Sequence, residues 1–210
     1  MSTRTVFSNV ARLAIGAACV ISASACGSEM LRTGRSPVYL VVTNTLGQPG
    51  NGEDSAFLLS DVETIVEQTI DGKTVRVPTY FNDNATVTLT AELKNPTIAA
   101  TAINNVTLTR YHVNFRRADG RNTPGVDVPY PIDGGLGVTV QPGSATDVAL
   151  EIVRHQAKLE SPLRQLRSLG SQGFISTIAE ITFYGRDQNG NEVSATANMD
   201  VQFGDFADEQ

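Results

Sequence analysis

Few residues in this chain are equipped for chemistry, and their spacing narrows the choice further. There are two histidines, two cysteines and no tryptophan. His112 and His155 stand apart, each on the outward phase of a strand-like segment, whereas a zinc site needs three or four converging ligands. No Gly-x-Ser-x-Gly pentapeptide is present to expose a serine nucleophile. Asp187-x-Asn189-Gly190-Asn191-Glu192 offers several oxygens, but a calcium loop of the EF type needs acids at alternating positions and a later bidentate Glu. The Asn-Gly pair is fully accounted for by a hairpin turn. Glu53-Asp54 with Asp61 reads as acidic residues of a solvated loop. No catalytic residue, metal ligand or cofactor is assigned on this basis, and an enzyme is not expected.

Two sets of residues are candidates for binding. Tyr80, Phe81 and Tyr130, the last between Pro129 and Pro131, form a candidate ligand patch if they share a concave surface. Arg154, Lys158, Arg164 and Arg167 cluster around the one expected helix, and Arg110, Arg116, Arg117 and Arg121 follow a strand and its turn. In an acidic protein such groups suit anionic lipid headgroups or an acidic partner. They equally suit the polar side of a helix and solvated strand ends, where single charges contribute little.

The N-terminus carries an address. Arg4 and Arg12 precede an uncharged apolar run, Leu13 to Ile21, and small residues Ser22 to Ala25 lead to Cys26. A basic start, a short apolar stretch and a small-residue exit is the layout of an export signal. The run is shorter than the roughly 20 residues a bilayer span requires, which argues against a retained membrane helix. Ala23-Ser24-Ala25-Cys26-Gly27-Ser28 resembles a lipobox, the site at which bacterial lipoproteins are cut and acylated on cysteine. Ala23 stands where that family prefers a branched aliphatic residue. Ala23-x-Ala25 also suits ordinary signal peptidase, which would leave a soluble protein beginning at Cys26. Gly27, rather than Asp, resembles lipoproteins sent to the outer membrane.

Cysteine usage fits the lipid reading. Removal of residues 1–25 takes Cys19 away and leaves Cys26 as the lone cysteine. An unpaired cysteine in an exported protein calls for a special role, and acylation supplies one. The remaining 185 residues hold no disulfide, so stability rests on the core, which is adequate for one domain of this size. The removed segment contains two arginines and no acid, so the formal charge moves from −6 to −8. That argues against generic nucleic-acid binding, which runs on excess Lys and Arg.

The elements that must position these residues are mostly strands. Residues 27–36 read as a polar tether, and Val38–Val42 begins the first strand. Gly47–Ser60 reads as a loop, and Glu63–Val77 as two short strands about Asp71-Gly72. Ala85–Lys94 alternates apolar and polar residues with period two. Val106–Arg117 starts with Val106 and Leu108 inward and continues with Tyr111, Val113 and Phe115 inward, a phase slip that predicts a bulge at Thr109–Arg110. Pro124, Pro129, Pro131 and Gly134-Gly135 read as an irregular connection to a short strand at Val138–Val140. Thr146–Val153 is a further strand. Ser161-Pro162 opens and Gly170 closes a helix over about 161–169, with Leu163, Leu166 and Leu169 on one stripe. Ala179–Phe183 and Val193–Phe203 alternate again across Asn189-Gly190, read as a type I′ turn. Asp205–Gln210 reads as a frayed acidic end.

Seven or more short antiparallel strands with one short crossover helix predict an all-β protein built as a β-sandwich over residues 37–205. The segment Tyr184–Val193 resembles the last hairpin of bacterial Ig-like and fibronectin-III-like domains. The paired cysteines and buried tryptophan of antibody domains are absent, which leaves the disulfide-free relatives. Together these features resemble small bacterial lipoproteins carrying one such domain. The resemblance implies a non-enzymatic, lipid-anchored module of the cell envelope, held at the outer membrane and facing the periplasm or the cell surface. Its expected role is that of a binding or structural accessory subunit in an envelope complex. A surface module recognising carbohydrate or another ligand, and a secreted form without lipid, are the alternatives.

Overall fold

The computed structural model describes residues 34–50, 52–169 and 173–206. The leader, Cys26 and most of the tether fall outside these residues, as do Gly170 and the last four residues. Among the described residues the protein is all-β, with ten strands. They are β1 (Val38–Gln48), β2 (Leu58–Asp61), β3 (Thr64–Ile70), β4 (Lys73–Thr79), β5 (Asp83–Leu93), β6 (Val106–Arg116), β7 (Ile132–Val140), β8 (Thr146–Val153), β9 (Phe174–Asp187) and β10 (Glu192–Gly204). A three-stranded sheet has the order β1-β5-β8, and a five-stranded sheet the order β2-β10-β9-β6-β7. β3 and β4 pair only with each other.

The period-two pattern does what it predicts. On β5, Ala85, Val87, Leu89 and Ala91 are all fully buried, and the residues between them are not. On β9 and β10, Ala179, Ile181, Phe183, Met199, Val201 and Phe203 fill the same core as β5, β6 and β8. Phe115 and Phe203 meet edge to face with ring centres 5.6 Å apart, a geometry aromatic quadrupoles favour. The predicted slip in β6 is present: its register shifts between Leu108 and Arg110 against both β7 and β9. Asp71 and Gly72 both take positive φ, 50° and 73°, and close the β3–β4 hairpin as Asp-Gly should.

Several expectations are corrected. Leu58–Asp61 is not loop but an edge strand, and it runs parallel to β10, so the strands are not all antiparallel. Four residues are too few for alternation to register. β7 begins at Ile132 and takes in Gly134-Gly135, which the sequence marks as a break. The reason is close approach: a Cβ on Gly134 would lie 2.1 Å from Tyr111 Cε1, so glycine here makes room for a ring within a strand. The ring is held, since Tyr111 Oη donates to the Glu151 carbonyl at 2.9 Å.

The crossover helix also differs. His155–Leu159 forms one short α-helix, α1, and Leu163–Ser168 a 3-10 turn. Leu163 and Leu166 are buried as expected, but Leu169 is 54% exposed, because a 3-10 turn does not keep the α-helical stripe. His155 opens α1 and is not on a strand. At the β9–β10 turn, Gly190 takes φ 82° while Asn189 does not take positive φ. Gly190 N donates to the Asp187 carbonyl at 3.0 Å. This is a type I turn followed by a left-handed glycine, not the type I′ turn expected.

The two sheets share one set of ends. β1 and β6 begin, and β5, β7 and β9 finish, at the end where Ser36 enters. There Ser36 is buried and bonds Asp187, and Gln188 Nε2 reaches the Asn105 carbonyl. The opposite end carries the β3–β4 hairpin, the 117–131 connection, α1 and the 3-10 turn. Gly134→Val should lower stability by about 2–3 kcal/mol through overpacking, read as a shift in the urea midpoint. Gly135→Val, at an exposed position with open space around it, should change the midpoint by less than half as much. Equal losses at the two sites would discard the ring-clearance explanation.

Candidate functional site

The residues that come together most closely lie at the end remote from Ser36. β2 ends there on Ser60-Asp61, β5 begins on Asp83, and α1 lowers Lys158 between them. Lys158 Nζ lies 2.8 Å from Asp83 Oδ2, with both side chains 1% exposed. Ser60 Oγ donates to the same oxygen at 2.6 Å, and Gly50 N donates to Asp83 Oδ1 at 2.9 Å. Asp83 is thus bonded on both oxygens, the condition under which a buried charge is tolerated. Ser60 and Lys158 have the composition of a serine–lysine nucleophile. However, Ser60 is fully buried and its hydroxyl donates to Asp83, so in this arrangement the group is structural.

A second layer covers the pair. The Arg167 guanidinium lies over the Tyr80 ring, 4.4 Å from its centre. It donates to Tyr80 Oη at 3.1 Å and to the Lys158 carbonyl at 2.5 Å, and it stands 3.7 Å from Glu63. Tyr80 Oη donates to Glu63 Oε2 at 2.6 Å, and that bond, with burial, raises the phenol's pKa. Asn82 Oδ1 accepts from both His155 N and its ring Nδ1, at 2.7 and 2.8 Å. Burial pushes the Asp61 carboxyl up, against donations from Thr64 Oγ1 and Phe206 N. Phe206, expected in a frayed end, is therefore tied to the domain.

The expected basic patch does not exist as one surface. Lys158 is interior, Arg167 is folded onto Tyr80, and Arg154 donates to the Asp133 carbonyl at 3.0 Å. Of the four, Arg154 and Arg164 remain exposed. The cause is the depth of Asp83, 75 positions away in sequence, which no local pattern reveals. The aromatic trio is also dispersed. Tyr80 lies under Arg167, Phe81 packs over Gly50, and Tyr130 covers Gly125 beside a separate shallow cleft with Leu159 and Arg164.

The other candidates have individual partners. His112 Nδ1 is 3.0 Å from Asp133 Oδ1, remote from His155. Arg116 pairs with Glu180, Arg117 with Asp119 and Arg121 with Asp127. Glu53 and Asp54 are exposed on their loop, while Asp61 is buried away from them. The Asp187 oxygens accept from Asn189 N, Asn191 N and Asn191 Nδ2 at 2.9, 2.9 and 2.8 Å, so this loop's acid closes its own turn.

One concavity was not anticipated. The β6 bulge opens a cleft on the outer face of the five-stranded sheet, bounded by Thr109, Arg110, Tyr184, Arg186, Glu192 and Ser194. Arg110 covers the Tyr184 ring at 3.9 Å. The predicted phase slip was the signal for it, since a bulge re-aims side chains.

No family model matches the chain, and no curated protein does. One solved structure, the X-ray structure of Northeast Structural Genomics Consortium target SoR45, aligns with 80% of this chain and 86% of its own, at 10% identity and a TM-score of 0.35. A likeness that distant bears on neither fold family nor function.

Lys158→Met should cost about 3–5 kcal/mol in urea unfolding, because it strands a buried carboxylate. The double variant with Asp83→Asn should recover more than half of that loss. A single-variant loss under about 1 kcal/mol would show that the pair does not hold this end together. Asp187 gives a pH test. Burial alone would raise its pKa, but the bonds from Asn191, Ser36 and Asn189 outweigh burial and hold it below the ordinary carboxylate value. Its contribution is therefore present above pH 3.8 and is lost as pH falls through the lower folded value. Asp187→Asn should destabilise by about 1 kcal/mol at pH 7, and the difference from wild type should shrink at pH 3. A penalty that is constant with pH would show that the charge is not what matters.

Proposed function

We propose that this protein is a lipid-anchored, non-enzymatic module of the bacterial-type cell envelope. It is an Ig-like β-sandwich acting as a binding or accessory subunit, tethered through Cys26 at the outer membrane. The sandwich reading is supported by a three-stranded and a five-stranded sheet that share one core, and by the β9–β10 hairpin braced on Asp187. A non-enzymatic role is supported by the closest polar cluster, Ser60, Asp83 and Lys158, being enclosed and mutually bonded.

The observation that carries the anchoring is where Gly34 and Ser36 sit on the domain. Ser36 is buried against Asp187, and Gly34 O accepts from Lys94 Nζ at 3.1 Å. Seven residues, 27–33, separate Cys26 from Gly34. Fully extended they span roughly 25–30 Å, so a lipid on Cys26 would keep one particular end of the domain beside the bilayer. Each buried CH₂ contributes about 0.8 kcal/mol, and more than one acyl chain makes the attachment effectively permanent. The elaborated end, with the β3–β4 hairpin and α1, then projects away from the membrane. A second reading, a module recognising carbohydrate or another small ligand, is favoured by the cleft between Arg110, Tyr184 and Glu192.

Growth with labelled palmitate tests the anchor. The wild-type protein should carry label and sediment with membranes, whereas Cys26→Ser should do neither. A wild-type protein recovered in the soluble fraction with an unmodified amino end at residue 26, or one retaining its leader, would overturn the proposal.

A further inference from the structure

The loops beside the point where the tether enters differ in composition from the rest of the surface. Three of them meet there. Residues 95–105 contain no charge, and Ala100, Ala102 and Asn105 lie against Gln141 and Pro142 of the uncharged 141–145 turn. The 188–191 turn, also uncharged, reaches Asn105 through Gln188. The strand acids nearest these loops are Asp187, which is buried in its own turn, Asp147, which accepts from Thr88 Oγ1, and Glu92 and Glu192. The charged loops are at the other end, where Glu53, Asp54, Glu67, Asp71 and Asp119 are exposed.

Two large apolar side chains stand out on this neutral end. Ile98 is 49% exposed and Ile103 is 51% exposed. Neither position is a slack loop tip. Asn95 Oδ1 accepts from Thr97 N at 3.1 Å, fixing the turn before Ile98. Asn104 Oδ1 accepts from Thr101 N and Thr101 Oγ1, both at 3.0 Å, and closes the 3-10 turn that carries Ile103. Local hydrogen bonding thus presents both side chains outward. Arg35, Lys94 and Arg186 are exposed at the same end, Lys94 bonded to the Gly34 carbonyl and Arg186 paired with Glu192. Apolar tips carried on loops without charge fit the boundary between headgroups and acyl chains.

We propose that this end is a lipid-facing surface, in which Ile98 and Ile103 enter the interface of the bilayer to which the chain is tethered. The inference rests on attachment through Cys26 and adds to it a fixed orientation. A tether of seven residues holds this end within reach of the bilayer at high local concentration, so two shallow apolar contacts are enough to orient the domain. The neutral loops avoid the repulsion that the acids of the opposite end would meet at an anionic surface. The elaborated end is thereby aimed outward.

The chain contains no tryptophan, so Ile98→Trp, Ile103→Trp and Val75→Trp each give a single emitter. The full-length protein, purified from membranes, is reconstituted into vesicles of phosphatidylethanolamine and phosphatidylglycerol with or without brominated acyl chains. Tryptophan at 98 and at 103 should shift to shorter wavelength and lose at least half its emission to bromine, while tryptophan at 75, on the β3–β4 hairpin, should not change. Unquenched emission at 98 and 103, or equal quenching at all three, overturns the proposal. Acylation is read separately from the mass of the N-terminal peptide. If Cys26 is unmodified, the anchor reading fails on its own. The same chains coupled through that thiol to a maleimide phospholipid still decide whether the two isoleucines enter lipid.

Discussion

Asp83 and Lys158 lie 2.8 Å apart with almost no access to water, and the open end of the two sheets is organised around that contact. A buried pair of opposite charges costs desolvation on both sides and is stable only where the remaining polar capacity is bonded. Ser60 and Gly50 meet that condition for the carboxylate. The result joins four separate stretches of chain: the loop after β1, the parallel edge strand β2, the start of β5, and α1. None of these pairs with all of the others through backbone hydrogen bonds. The charge pair and the Arg167–Tyr80–Glu63 layer above it stand in for a cap on the sheets. Leu163 and Leu166, carried on the 3-10 turn, add the apolar part of that cap.

The opposite end is closed by a different device. Asp187 accepts four donations, three from its own turn and one from Ser36, so the last hairpin and the stretch leading into β1 are locked to one another. A carboxylate held by several donors is stable as the anion. With no disulfide among residues 27–210, these two polar clasps and the single core between them carry the stability. The clasps also give the molecule polarity. One end is braced where Ser36 enters and is neutral in its loops, and the other is charged and carries every inserted element of size.

The readings that the sequence supports without the structure are those that depend on neighbours in the chain. Alternation along β5, β9 and β10, the Asp71-Gly72 turn and the slip at Thr109–Arg110 are local consequences of side chains pointing to opposite faces of a strand. Each is present in the fold. The leader-like layout before Cys26 is likewise a local pattern, and it lies outside the described residues. Readings that needed a distant partner went astray. Gly134-Gly135 looked like a break because the ring that requires glycine belongs to Tyr111, on another strand. Lys158 and Arg167 looked like surface cations because they alternate with polar residues in a short helical segment. Their partners, Asp83, Tyr80 and Glu63, lie about 75 to 105 positions earlier.

The sequence by itself therefore determined the all-β character, the inward set of each long strand and the absence of a disulfide framework. Periodicity, composition and turn chemistry act over a few residues, and a single chain displays them openly. Tertiary structure alone decided which charges are buried, that β2 lies parallel to β10, that the aromatic trio is dispersed, and that uncharged loops gather at the end where Ser36 enters. Those outcomes depend on which residues share a place in space. Burial and ionic pairing act through distance in three dimensions and leave no fixed spacing along the chain.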